Sequence, residues 1–270
     1  MAAGYVIAMR RGTIGPDDDV SPWFRHQGWR PVFFCTGLLL TFIALESPID
    51  RGGDLYLFSL HMVQHMLLMM VAPPLLLLGI AGGRPAPRER YTTLRTIWWA
   101  ITRPWPAVVI FNAVLLLWHI PSLYDTTLTT VPVHIVEHLS FIAVGVIVWW
   151  PVVDPIRDER TVPVSPLTKI AALGIAGIPP TVLGIVFALA SAPLYSFYEQ
   201  APRLWGVSAL TDQQYGGVIM LGVGNIVYFI AILVVFMRLF SDPGRDEELA
   251  ADRIAEALQG GSTRVGERIP

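Results

Sequence analysis

The chain has 270 residues, a formal net charge of −2 and a hydrophobic content of 53%. Charged residues make up only 15%, against about 25% in typical soluble domains, which excludes an ordinary soluble domain. The balanced charge also argues against a nucleic-acid partner. Long apolar runs alternate with short polar loops, and this pattern is typical of a chain that crosses the lipid bilayer several times.

The apolar runs predict an all-α integral membrane protein, a bundle of about six transmembrane helices. The first run is short for the ~20 residues that a bilayer requires, so Trp29 would lie at the interface, and Cys35 is expected to be a small buried residue. Residues 1–30 are predicted to form a cytoplasmic leader, 31–240 the transmembrane domain and 241–270 a polar cytoplasmic tail. The predicted spans are 31–46, 55–80, 104–123, 131–151, 167–191 and 213–240.

The distribution of basic residues predicts the orientation of this bundle. Of the 19 Lys and Arg residues, 17 lie in the N-terminal segment, in the loop after the second span, in the loop after the fourth span with the start of the fifth, or at the C-terminal end from Arg238 onward. Only Arg51 and Arg203 fall in the alternate loops. Because cytoplasmic loops carry the excess of basic residues, we predict a multi-pass protein of the cell membrane with both termini in the cytoplasm.

Two histidine pairs stand in this hydrophobic sequence, HMVQH at 61–65 and HIVEH at 134–138. A spacing of four residues places both rings of a pair on one face of a helix, which lets a helix offer two nitrogens to one metal ion. Under the predicted topology, both pairs and the histidine of WHIPSLYD share one layer near the outer surface, whereas His26 is an ordinary surface residue of the leader. The predicted metal ligands are His61, His65, His119, His134 and His138.

Several other polar or soft side chains are predicted to support these ligands. Gln64 and Glu137 occupy equivalent places in the two pairs, where they could hydrogen-bond ring nitrogens of adjacent helices. Met69 continues the first pair one turn deeper, and its thioether suits Cu(I). Asp125, Asp212 and Gln213 fall at the same outer edge, and Asp212 is also an N-cap candidate for the sixth span.

Three chemistries fit this histidine layer, besides the simpler interpretation that the rings only hydrogen-bond between helices. The first is copper or another transition metal held by imidazoles. The second is haem, with a histidine of span two facing one of span four. The third is zinc hydrolysis, since His134, Glu137 and His138 follow the H-x-x-E-H order of inverted zincins.

Further motifs carry a resemblance to a known family. They are HMVQHMLLMMVAPPLLLLG at 61–79, WHIPSLYD at 118–125, HIVEH followed by WWP at 149–151, PLYSFY at 193–198 and TDQQYGG at 211–217. Together, over about residues 28–240, they resemble the CtaG family of cytochrome c oxidase assembly factors, the integral-membrane kind associated with caa-type oxidases.

The resemblance implies a polytopic protein that is not an enzyme and that helps to supply copper to the oxidase. Its implied partners are cytochrome c oxidase subunits and a copper chaperone. The site residues that carry over by motif are His61, His65, His119, His134, Glu137 and His138, together with Asp212 and Gln213.

The N-terminus departs from the family pattern. Family members usually have seven spans, with a further one before the first run found here. Only AAGYVIAMRR at residues 2–11 corresponds to it, so that helix is expected to be truncated.

Overall fold

The computed structural model describes residues 29–82, 92–156 and 163–240, and all regular structure in these ranges is helical. Residues 1–28 of the predicted leader, which include the expected remnant of an earlier helix, and the predicted polar tail lie outside the described residues. The helices are α1 Trp29–Glu46, α2 Pro48–Leu55, α3 Phe58–Ile80, α4 Thr92–Ile101, α5 Pro104–Trp118, α6 Pro121–Thr129, α7 Val131–Val153, α8 Pro166–Ala188, α9 Ser196–Gln200 and α10 Ala209–Phe240.

Five of these helices, α1, α3, α7, α8 and α10, are long and apolar enough to cross a membrane. The pair α4 and α5, bent by 78° at the intervening break, makes a sixth candidate span if it is counted as one. The predicted all-α membrane bundle of about six helices is therefore confirmed.

Two of the predicted span boundaries that differ from the structure have clear local causes. The second span begins at Phe58 and not at 55, because the Ser47 hydroxyl accepts a hydrogen bond from the Ile49 amide (3.1 Å) and starts the separate helix α2. The third span stops at Trp118 and not at 123. Pro121 disfavours a helical conformation at Ile120, whose ψ is 124°, so a new helix, α6, starts there.

The bundle is held by close backbone contacts at glycines. A Cβ added to Gly217 of α10 would lie 2.5 Å from the Ala188 nitrogen and 2.6 Å from the Gly184 oxygen of α8, so these two spans touch through their main chains. By contrast, Gly222 has no atom within 4 Å of such a Cβ. Cys35 is exposed on α1, so the prediction that it is buried was wrong; its position fits a face turned toward lipid.

Helix α3 changes its winding halfway, with a π-helical turn at Leu67–Val71. Pro73 has no N–H and cannot bond to the Met69 carbonyl four residues before it. Gly145 of α7 packs at this point, and a Cβ there would lie 2.8 Å from the Met69 oxygen and 2.7 Å from the Pro73 Cγ. The turn therefore brings α3 and α7 into close contact just beyond the histidine pair.

One end of the bundle, which we call the histidine end, is built by α2, α6, α9 and the adjoining ends of the spans. Helix α3 begins there after Leu57, whose side chain caps nothing. Asp212 lies within the first turn of α10, so the prediction that it is the N-cap of the sixth span is wrong. It caps α3 instead, because its carboxylate accepts from both the amide and the hydroxyl of Ser59. The first histidine pair is therefore positioned by a residue from the last span.

Candidate metal centre

The two predicted histidine pairs face each other across α3 and α7. Ring centroids are 4.2 Å apart within the pair His61–His65 and 4.0 Å apart within His134–His138. Between the helices, His61 lies 5.5 Å from His134 and 6.0 Å from His138, and His65 lies 5.8 Å from His138. The four rings thus form one cluster, as their spacing predicts.

His119 joins this cluster from the break between α5 and α6. Its ring centroid lies 6.2 Å from that of His65. Its Nδ1 lies 2.7 Å from the Leu115 carbonyl oxygen, and because a carbonyl only accepts, Nδ1 must carry the proton. The Nε2 lone pair of His119 is therefore available, and this nitrogen is buried without a hydrogen-bond partner.

Four side chains bring potential ligand atoms together in what we call the buried group: His61, His65, Glu137 and His138. One ligand atom from each lies within 4.8 Å of all the others. Ligand atoms that lie about 2.0–2.1 Å from one tetrahedrally coordinated ion are roughly 3.4 Å from one another. Side-chain shifts of about 1 Å would therefore close the buried group on an ion.

Most polar atoms that the buried group could offer to an ion lack a hydrogen-bond partner. The Nε2 atoms of His61 and His138, both ring nitrogens of His65 and both carboxylate oxygens of Glu137 are buried with no hydrogen-bond partner. The nearest approach between His65 Nε2 and Glu137 Oε1 is 3.7 Å, too long for a hydrogen bond. Each unsatisfied buried polar group costs about 1–3 kcal/mol, and a single bound cation would satisfy several of them together. The donor set therefore fits a metal ion.

Two tyrosines orient His61. The Tyr198 hydroxyl donates to the Gly53 carbonyl (2.7 Å) and also lies 3.1 Å from His61 Nδ1. Burial raises the pKa of Tyr198 well above its usual range, so its one proton stays and goes to Gly53. Tyr198 can then only accept a hydrogen bond from His61 Nδ1, and the Tyr124 hydroxyl lies 2.8 Å from the same nitrogen. This arrangement favours the tautomer of His61 in which Nδ1 carries the proton, so the lone pair on Nε2 points into the cluster.

A second set of ligand atoms adjoins the first, and we call it the rim group: Asp54, His61 and His134. One ligand atom from each again lies within 4.8 Å of the others, and Asp54 Oδ1 is 3.3 Å from His134 Nε2. Burial, and next the neighbouring charge of Asp50, raises the pKa of Asp54 to about 7. Asp54 was not among the residues that the sequence predicted.

Five of the predicted accessory residues lie outside both groups. Gln64 donates to the Ala44 carbonyl (2.9 Å) and to Asp50 (2.7 Å), which ties α3 to α1 and α2. Met69 is buried in the core at the π-helical turn. Asp125 caps α9 by accepting from the amide and hydroxyl of Ser196, Asp212 caps α3, and Gln213 accepts from the Leu194 amide. Of the accessory residues, Glu137 alone belongs to the buried group.

Sequence reasoning missed the roles of Tyr124, Tyr198 and Asp54. The tyrosines lie in the motifs WHIPSLYD and PLYSFY. These motifs carry the family resemblance, but they do not indicate that the tyrosines contact His61. Asp54 carries no such signal, because it lies in a short helix before the second span, where an acidic residue is unremarkable.

Known proteins were compared with the whole chain. The model of the family described as cytochrome c oxidase caa3 assembly factor (Caa3_CtaG) matches residues 3–242. Similar proteins include one from Mycobacterium leprae, 25% identical over 267 residues, and proteins from Mycobacterium bovis and Mycobacterium tuberculosis, each 25% identical over 268 residues; all three are described as uncharacterized.

The match covers 93% of this chain but only 38% of each mycobacterial protein, so the chain spans less than half the length of these relatives. No solved structure matches the chain. The family model covers almost all of the membrane bundle and both histidine pairs. The chain therefore belongs to the family of cytochrome c oxidase caa3 assembly factors.

Proposed function

We propose that this protein is a membrane-embedded assembly factor, not an enzyme, that binds copper at its histidine end and helps to metallate cytochrome c oxidase. The observation that carries the proposal is the buried group, in which three imidazoles and a carboxylate converge, each with at least one buried ligand atom that has no hydrogen-bond partner. Imidazole suits copper and zinc alike, and the family's connection with the oxidase favours copper. The ion is cargo, passed on to oxidase subunits and received from a copper chaperone.

The compactness of the cluster favours a single ion over haem. A porphyrin bound between α3 and α7 would have to occupy the space where Glu137 and the neighbouring rings already lie within 4.8 Å of one another. It would also be bound by two opposed axial ligands, which leaves Glu137 without a role.

The same geometry disfavours a zinc protease. In an H-x-x-E-H site both histidines bind one zinc ion and the glutamate acts on a water molecule. Here His134 belongs to the rim group, whereas Glu137 lies with His138 in the buried group. Glu137 is fully buried, and a peptide substrate would need access to it.

We further propose that the histidine end faces the outside of the cell membrane and that both termini are cytoplasmic. A reporter fused after residue 240 is expected to report the cytoplasm. The same reporter inserted after Gly206, in an exposed loop at the histidine end, is expected to report the exterior. The reverse pattern would place the metal site on the cytoplasmic side and would contradict the proposed delivery from outside.

Activity of the oxidase in cells tests the proposal directly. In a strain without the native gene, the wild-type chain is expected to restore oxidase activity, and Glu137→Gln is expected to fail at low copper. The substitution keeps the shape of the side chain but removes its charge as a ligand. Oxidase subunit abundance is expected to be equal in both strains at first, and added copper is expected to restore part of the activity.

Glu199→Gln is the matched control, because it makes the same chemical change in an exposed side chain of α9. Full oxidase activity with Glu137→Gln at limiting copper would contradict the proposal.

A further inference from the structure

We propose that the rim group and the buried group bind one copper ion in succession. Copper first binds Asp54 and His134 at the rim, and it then moves to the buried group while it stays bound to His61. This inference rests on the proposed copper-binding function and adds the route by which the ion reaches its site. It is carried by one feature of the geometry, namely that the two groups share a single residue, His61.

The two groups differ in their access to water. In the rim group, the side chains of His134 and Asp54 are 14% and 26% exposed. In the buried group, the side chains of His65 and Glu137 are 1% and 0% exposed. An ion that arrives from water therefore contacts the rim group first, and a carboxylate there raises the local concentration of cations.

The shared histidine allows only one ion at a time. Nδ1 of His61 faces the hydroxyls of Tyr198 and Tyr124, so Nε2 is the nitrogen left to bind metal. A single lone pair binds a single ion, and the two groups cannot be filled together through His61. An ion bound at the rim through His61 can therefore complete the buried group only by moving inward with that ligand.

The transfer itself needs little movement. The rings of His134 and His138 are neighbours on one face of α7, with centroids 4.0 Å apart. As His61 keeps its bond to the ion, His134 and Asp54 are exchanged for His138, Glu137 and His65. His138 takes the place of the neighbouring His134, Glu137 takes the place of Asp54 as the carboxylate ligand, and the oxidation state of the copper ion does not change.

Kinetics and equilibrium of Cu(I) binding separate this route from a single site formed by all six side chains of the two groups. The full-length protein in detergent is titrated with Cu(I) held by a coloured competing chelator, whose absorbance gives both the rate and the equilibrium constant. The variants Asp54→Asn and His134→Gln are expected to slow loading and chelator-driven release alike, by roughly tenfold or more. Their equilibrium affinity is expected to stay within about threefold of the wild type.

Glu137→Gln is the comparison within the buried group, and it is expected to lower the equilibrium affinity by roughly tenfold or more. Asp18→Asn and His26→Gln repeat the two rim substitutions at positions outside both groups and are expected to change neither quantity. Two independent rim variants are used so that a folding defect in one of them does not decide the result.

The inference is overturned if the rim variants lower the affinity as much as Glu137→Gln, if they leave both rates unchanged, or if the wild type binds two ions per chain. Each of these outcomes leaves the proposed copper binding intact. A wild-type protein that binds no copper overturns the proposed function, and the inference with it.

Discussion

Replacing His61 and His65 together by leucine is expected to abolish copper binding in the purified protein. Both rings belong to the buried group and neither is exposed. Their loss leaves only two of its four ligands, Glu137 and His138. The variant is still expected to insert into the membrane, because leucine is favourable in a transmembrane helix. The measurement is copper content per chain after loading with Cu(I) and with Cu(II), in the same detergent as the wild type.

The matched control is Met62→Leu with Met66→Leu. These methionines lie on the same helix, are buried and repeat the same four-residue spacing, and methionine-to-leucine exchanges conserve core volume. The control is expected to retain the copper of the wild type. Equal copper in the histidine variant and the wild type, or none in either, would leave the histidines as groups that only hydrogen-bond between helices.

Gly217→Ala is expected to destabilise the bundle strongly. The added Cβ would lie 2.5 Å from one backbone atom of α8 and 2.6 Å from another, and backbone cannot rotate aside as a flexible side chain can. Overpacking of this kind costs about 1–3 kcal/mol or more. Thermal unfolding in detergent, followed by circular dichroism, is expected to show a lower midpoint than in the wild type.

Gly222→Ala makes the identical change in the same helix at a position where the new Cβ has nothing within 4 Å. Its unfolding midpoint is expected to equal or exceed that of the wild type, since alanine favours a helix more than glycine does. Equal midpoints for the two variants would contradict the close contact between α8 and α10.

The sequence predicts the membrane spans well where the length of an apolar run alone determines that a helix forms. Spans such as α7 and α8 lie within a few residues of their predicted ranges, because ~20 apolar residues in a bilayer have few alternatives to a helix. The errors fall where local chemistry interrupts an apolar run. Ser47 caps a separate helix before the second span, and Pro121 ends the third at Trp118.

The candidate site, like the fold, could be predicted from the sequence only where a regular helical pattern determines it. The two pairs could be found because a four-residue spacing on a helix determines a common face, and His61 with His65 and His134 with His138 do lie together. The contributions of Asp54 and Tyr198 depend on how the short helices α2 and α9 fold back onto the spans. No periodic pattern encodes the contact between Tyr198 and His61, which are 137 residues apart.

The cap that Asp212 places on α3 has a consequence for the time at which the site forms. During synthesis, a chain whose first four spans have entered the membrane already contains all five clustered histidines. It lacks Tyr198, which orients His61, and Asp212, which anchors the start of the helix that bears the first pair. The candidate metal centre is complete only when the C-terminal spans arrive, so we expect copper to bind the finished protein and not the nascent chain.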